Sequence, residues 1–222
     1  TLWDANTGVK INTLAVDEEK IECVAFSSDG ETVACATSNG TVQIWNARSG
    51  KEMRRFEKRG MDFIAFHPDG EQLVSSYRDC SLWNGITGRE SVLLQGIDRP
   101  HDALFNPDGR QLILFGKNDR HKNATVYDTN TGEQLLEVKL GEGFGRVAFS
   151  PDSSRFAACD DEAIRIFDAN NGSEIDKLKA FPKIAKARRV KIESVVFSPD
   201  GTQLLYSAMR EPPTLWTFKA NP

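Results

Sequence analysis

The sequence predicts an all-β chain of four-stranded antiparallel units repeated about every forty residues, and three observations predict it. First, Phe-x-x-Asp followed by Gly or Ser occurs five times, at Phe26–Gly30, Phe66–Gly70, Phe105–Gly109, Phe149–Ser153 and Phe197–Gly201, with the phenylalanines 40, 39, 44 and 48 residues apart. Second, an aromatic recurs at Trp3, Trp45, Trp83, Tyr127, Phe167 and Trp216, and a Gly stands five residues after each of the first five. Third, the intervals are β-type runs of four to seven residues, and no long window carries the i, i+3, i+4 spacing of a helix.

Within one period the elements follow in order. Strand a ends on the Phe, as in Cys23-Val-Ala-Phe26. The a–b turn after it is tight: Pro presets φ, Asp suits the third position, and Gly accepts the positive φ of the fourth. Ser, His or Asn precedes each turn as a cap. Ser153 replaces the Gly once, at an expected cost of about 1 kcal/mol if the same φ is kept. Strand b follows, as Thr32-Val-Ala-Cys35, then strand c, as Thr41-Val-Gln-Ile-Trp45. An Asx-rich turn closed by Gly leads into strand d, as Lys51-Glu-Met-Arg-Arg-Phe56. Four short strands per period are the blades of a β-propeller. The expected layout is a partial blade over 1–16, complete blades over about 20–57, 60–95, 99–139 and 143–180, and an incomplete last blade over 190–218. Residues 181–190 form at most a turn of helix.

Val24-Ala-Phe-Ser-Ser-Asp-Gly30 followed by Val42-Gln-Ile-Trp-Asn46 resembles a WD repeat, as do the four copies after it, so the resemblance spans nearly the whole chain. It implies a propeller with strands a to d running outward from a central channel. This chain departs from the pattern in two ways. The Trp-Asp dipeptide occurs once, at Trp3-Asp4, and the Gly-His pair usual before strand a is missing from every blade. The family's buried His–Ser/Thr–Asp–Trp network is therefore expected to be lost, leaving packing to hold the blades with less polar pinning. Thr1-Leu-Trp3 and Thr214-Leu-Trp216 hold the same place in the repeat, five periods apart, which predicts 21 strands. A closed five-bladed ring needs twenty and the family's usual seven blades need twenty-eight. The expectation is about five repeats of a larger, seven-bladed propeller, read as an internal piece because the chain starts at Thr1. A five-bladed ring closed by strands from both termini is the rival.

Composition narrows the function. Lys and Arg total 28 against 32 Asp and Glu, a net charge of −4, and the pI near 5.5 argues against whole-surface binding to nucleic acid or anionic lipid. No apolar run approaches the ~18 residues of a spanning helix. Four cysteines, Cys23, Cys35, Cys80 and Cys159, are scattered without C-x-x-C spacing and read as reduced thiols of a non-secreted, cytoplasmic protein, although a Cys23–Cys35 bridge across a hairpin is conceivable. His67, His101 and His121 stand without a second ligand at metal spacing. Nucleophile-elbow, phosphate-loop, dinucleotide and zinc-hydrolase motifs are absent. Gly141-Glu-Gly-Phe-Gly145 leads into a strand, and Asp160-Asp-Glu162 reads as a solvated turn. No cofactor is expected and the chain reads as no enzyme. The alternative is a propeller hydrolase or oxidoreductase holding a cation or cofactor in the channel, on the strand a residues Glu22, Asp62, Asp102, Arg146 and Glu193.

Partner binding is the leading reading, and topology explains why. In an antiparallel meander the a–b and c–d turns share one end of a blade, and the b–c and d–a loops share the other. The aromatic-to-Gly turn never changes length, whereas Phe to aromatic varies from 17 to 22 residues and aromatic to the next Phe from 21 to 30. Extra residues therefore gather at the b–c and d–a end, in 116–123 and 177–191, which marks a working face for protein partners or for other domains of a longer chain. Seven Lys and Arg residues and no acid lie between 177 and 191, leaving −11 on the rest. That concentration attracts acidic or phosphorylated segments. Nucleic acid is disfavoured because no aromatic platform accompanies the basic run. The candidate partner-binding residues are Lys117, Arg120, His121, Lys183, Lys186, Arg188, Arg189, Lys191 and Arg210. Arg188 and Arg189 lead, because guanidinium forks grip carboxylate or phosphate bidentately.

Overall fold

The computed structural model describes residues 1–16, 20–57, 63–76, 80–94, 100–116, 123–140, 146–159, 163–178, 192–208 and 212–218, with only the backbone of 101, 102 and 116. The described residues form twenty-one strands and no helix. Blade 1 is a two-stranded sheet of β1 (Leu2–Trp3) and β2 (Lys10–Asn12). Blade 2 is β3 (Ile21–Phe26), β4 (Thr32–Thr37), β5 (Thr41–Asn46) and β6 (Glu52–Glu57). Blade 3 is β7 (Phe63–Phe66), β8 (Gln72–Ser76), β9 (Cys80–Asn84) and β10 (Arg89–Leu94). Blade 4 is β11 (Pro100–Phe105), β12 (Gln111–Gly116), β13 (Asn123–Asp128) and β14 (Gln134–Lys139). Blade 5 is β15 (Val147–Phe149), β16 (Arg155–Cys159), β17 (Ile164–Asp168) and β18 (Glu174–Leu178). Blade 6 is a three-stranded sheet of β19 (Ile192–Phe197), β20 (Gln203–Ala208) and β21 (Thr214–Thr217).

All pairings are antiparallel between sequence neighbours. The rival five-bladed ring would lay β2 beside β21 as its fourth strand. Instead β2 pairs with β1, and β21 has β20 as its one sheet neighbour among the described residues.

The period-2 alternation of a strand gives each blade two apolar faces, and the motif residues define both. One cross-strand row holds the motif aromatics: Phe66–Leu73–Trp83 in blade 3, Phe105–Leu112–Tyr127 in blade 4 and Phe149–Phe156–Phe167 in blade 5. This row faces the preceding blade. The row one residue earlier on strand a faces the following blade, as Ala25–Ala34–Ile44, Ala65–Val74–Leu82, Leu104–Ile113–Val126 and Ala148–Ala157–Ile166.

Four apolar clusters result, one at each of the four junctions from blade 2 to blade 6. Ala34 and Ile44 of blade 2 meet Leu73 and Trp83 of blade 3, with Phe56 stacked on Trp83 at 5.0 Å. Each fully buried Leu, Ile or Phe contributes about 1.5–3 kcal/mol, so the junctions between blades hold most of the stabilising energy. The cysteine alternation decides the bridge: Cys23 lies opposite Ala36 and faces blade 3, while Cys35 lies opposite Val24 on the other face. A Cys23–Cys35 disulfide is thus excluded by geometry, and both thiols are free.

Candidate interaction surface

The two ends of the blade stack are built differently. At the turn end, each c–d turn is closed by the residue after the motif aromatic. Asp4, Asn46, Asn84, Asp128 and Asp168 accept, through Oδ1, backbone N–H bonds from residues two or three further on, at 2.7–3.1 Å. Oδ1 is the atom used, so Asn serves as well as Asp, which explains why Trp-Asn replaces Trp-Asp in blades 2 and 3. The a–b turns are closed by the buried caps Ser27, Asn106 and Ser150 and by Ser198. Ser27, Ser150 and Ser198 also donate to Asp29, Asp152 and Asp200 at 2.6 Å. These bonds favour the carboxylate: the Ser198 hydroxyl, then the Thr202 amide, hold Asp200 at a pKa of about 2. Ser153 adopts φ 61°, as the missing Gly predicts.

Consecutive a–b turns are tied to one another at all four junctions. Ser28 Oγ donates to the Pro68 carbonyl, and His67 Nε2 bonds the Gly109 carbonyl at 2.7 Å. The Asp108 amide donates to Ser153 Oγ at 3.1 Å, and Arg155 Nη2 donates to the Gly201 carbonyl at 3.1 Å. The expectation of little polar pinning therefore needs correcting, because pinning has moved from the blade interior to the turns. The interior network is not wholly lost either. Trp83 Nε1–H donates to Ser75 Oγ at 2.9 Å in the buried centre of blade 3.

The other end carries the b–c and d–a connections, and all nine sequence candidates belong to them or flank them. Lys117, Arg120 and His121 lie between β12 and β13, Lys183, Lys186, Arg188, Arg189 and Lys191 between β18 and β19, and Arg210 between β20 and β21. All nine lie outside the described residues. What the structure contributes is the frame. The ends of β12, β18 and β20 and the starts of β13, β19 and β21 stand at this same end, opposite the tied turns.

The channel reading rested on strand a residues. Glu22 is engaged by Lys20 Nζ at 2.9 Å, and Asp62 and the Asp102 side chain lie outside the described residues. Glu193 is exposed. Among the described residues no three His, Cys, Asp or Glu side chains gather as a metal-binding group. The inner strands of blades 4 to 6 instead line an apolar groove of about 350 Å³, with Leu104, Phe105, Val147, Phe149, Val196 and Phe197 on its walls. Sequence reasoning missed this groove; its signal is the larger Leu104 and Val196 where blades 2, 3 and 5 carry Ala25, Ala65 and Ala148.

Four-stranded antiparallel blades with two tied turns at one end define a propeller-type repeat protein. The model of the WD domain, G-beta repeat, matches residues 8–46 and 143–168. Among curated proteins, a periodic tryptophan protein 2 homolog of Schizosaccharomyces pombe is 31% identical over 43% of this chain and 12% of its own length. The p21-activated protein kinase-interacting protein 1-like of Xenopus laevis is 21% identical over 81% of this chain and 49% of its own. A guanine nucleotide-binding protein subunit beta of Zea mays is 23% identical over 91% of this chain and 58% of its own. The chain thus spans less than two thirds of each of these relatives. The stretches 8–46 and 143–168 thus match the WD repeat, and the other blades resemble them through the same turn motifs.

Proposed function

We propose that this chain is a non-catalytic interaction module that holds protein partners on its b–c and d–a loop end. The observation that carries the reading is the inequality of the two ends. Turn lengths are fixed and turns are tied blade to blade at one end, while every change in repeat length falls at the other. A rigid frame presenting variable loops suits recognition. Two relatives carry names of the same kind, one an interacting protein and one a subunit.

The partner class is acidic or phosphorylated peptide, attracted by Lys183, Lys186, Arg188, Arg189 and Lys191, with Lys117, Arg120, His121 and Arg210 at the same end. The test is fluorescence polarisation with a labelled polyglutamate peptide and a labelled phosphoserine peptide. Wild-type protein binds, and binding weakens steeply from low to physiological salt. The variant Lys186→Glu, Arg188→Glu, Arg189→Glu keeps its melting temperature and binds at least about tenfold more weakly, roughly the effect of losing one bidentate charge-assisted contact. Equal binding by the folded variant, or no binding by wild type, refutes the assignment of the loop. Heat released on titrating Ca²⁺, Mg²⁺ or Zn²⁺ would return attention to the channel.

A further inference from the structure

One a–b turn departs from the other four. Blades 3 to 6 place a proline second in the turn, as Pro68, Pro107, Pro151 and Pro199, whereas blade 2 has Ser28. The position is open to solvent even in turns flanked by blades on both sides: Pro107 and Pro151 are exposed, as Ser28 is. The exposure of Ser28 is therefore a property of the turn. The capping serines behave otherwise. Ser27, Ser150 and Ser198 spend their hydroxyls inside their own turns, on the Asp two residues on and on backbone groups five residues on. Ser28 Oγ reaches out of its turn and donates to the Pro68 carbonyl of blade 3.

The surroundings of this hydroxyl carry one sign of charge. Asp29 follows Ser28 directly, Glu31 stands three residues on, and no Lys or Arg lies between 21 and 47. The turn of blade 3 is in contact: a Cβ on Gly70 would lie 3.7 Å from Ser27 Cβ and 3.8 Å from Asp29 Oδ2. That turn adds Asp69 and Glu71, while its His67 is turned away to the Gly109 carbonyl of blade 4. An exposed serine with carboxylates one and three residues after it matches, by charge complementarity, the basic substrate cleft of an acid-directed protein kinase.

We propose that Ser28 is a phosphorylation site for an acid-directed serine kinase, and that phosphate there unties the turn of blade 2 from the turn of blade 3. In the step, the γ-phosphoryl group of a nucleoside triphosphate moves to Ser28 Oγ, the hydroxyl proton passes to the base of the kinase, and nucleoside diphosphate leaves. Oγ becomes an ester oxygen with no hydrogen to donate, so the bond to the Pro68 carbonyl is lost. The phosphate adds about −1.5 to −2 charge at pH 7, and it does so among Asp29, Glu31, Asp69 and Glu71. Repulsion by these acids and by the carbonyl drives the two turns apart. The inference goes beyond the loop-end reading and uses none of its residues.

The test incubates the folded chain with a purified acid-directed serine kinase, ATP and Mg²⁺, and locates phosphate by tandem mass spectrometry. Ser28 is the expected site. Ser173 is the competitor within the chain, exposed in a c–d turn with Glu174 and Asp176 at the same offsets. A folded chain without phosphate on Ser28 overturns the assignment, and phosphate on Ser173 in its place makes that serine the substrate. Glu31→Gln, at an exposed position, should slow labelling of Ser28 at least about tenfold, and an unchanged rate overturns recognition by charge. Hydrogen exchange then reads the consequence. In the phosphorylated chain the amides of 27–31 and 67–70 should exchange about fivefold faster, the worth of one net hydrogen bond. Those of 106–110 and 150–155, joined through the Asp108 amide and Ser153, should keep their rates. Phosphate on Ser28 with unchanged exchange in the first two turns overturns the release of the tie.

Discussion

Replacing Gly132 by alanine isolates the contact that sets the spacing between outer strands. Gly132 closes the c–d turn of blade 4 at φ +73°, and a Cβ there would fall inside the contact shell of Val92 Cγ1 on β10 of blade 3. Gly30 is its control: it has φ +72°, and nothing lies within 4 Å of where its Cβ would be. Holding an L-residue in the left-handed region costs about 1–2 kcal/mol, which is all that Gly30→Ala should lose. Gly132→Ala adds the cost of overpacking, about 1–3 kcal/mol, for a total of about 2–5 kcal/mol. With a urea m-value near ~3 kcal/mol/M, its midpoint falls by about 1 M, against about 0.5 M for the control. Adding Val92→Ala to Gly132→Ala removes the clash, so the double variant is more stable than the sum of the single losses predicts, by about 1–3 kcal/mol. Equal midpoints for Gly30→Ala and Gly132→Ala, or additive losses in the cycle, would refute the view that one blade's outer strand seats against the next blade's turn.

Four further outcomes follow from named contacts. Ser153→Ala removes the acceptor for the Asp108 amide while keeping φ 61°, and should lose about 1 kcal/mol; Ser153→Gly also loses the bond but relieves the strain, and should be near neutral in urea unfolding. Ser75→Ala leaves the buried Trp83 N–H without that partner and should cost about 1–3 kcal/mol, read the same way. Asp200, Asp4 and Asp29 have folded pKa values below the ordinary carboxylate range, through bonds led by Ser198, Thr7 and Ser27 respectively. Their contribution is therefore present above about pH 4 and is lost as pH falls toward 2, so the melting temperature should drop across that window and Ser198→Ala should flatten part of the drop. Burial lifts the Cys35 thiol to about 11, and Cys80 and Cys159 are buried too, so Ellman's reagent at pH 8 should titrate at most Cys23 until urea is added.

The repeat was legible because its turns need particular residues. Positive φ at Gly30, Gly70, Gly109 and Gly201 follows directly from the a–b motif, and Gly8, Gly50, Gly88, Gly132 and Gly172 adopt it at the ends of the c–d turns. Strand order followed from the interleaving of Phe26 with Trp45 and of their later copies. The ties between blades were not legible, because each uses a different donor: Ser28, His67, the Asp108 amide and Arg155. Three of the four end on a backbone carbonyl and the fourth starts from a backbone amide, so no constant residue is left to find. Ser75 illustrates the same difficulty, since without its His partner nothing in the sequence distinguishes it from Ser76, whose hydroxyl instead donates to the Pro100 carbonyl at 2.6 Å. Of the interaction surface, the sequence supplied the choice of end through loop lengths, and the structure supplied the contrast with the tied turns.

Lysine footprinting with the phosphoserine peptide tests the central claim most directly. The protein is acetylated with and without saturating peptide, and modification is read residue by residue by mass spectrometry. The account predicts protection at Lys117, Lys183, Lys186 and Lys191, at the loop end, with Lys10 and Lys51 beside the c–d turns modified equally in both samples. Protection centred on Lys10 and Lys51, or the same modest protection everywhere, would contradict it.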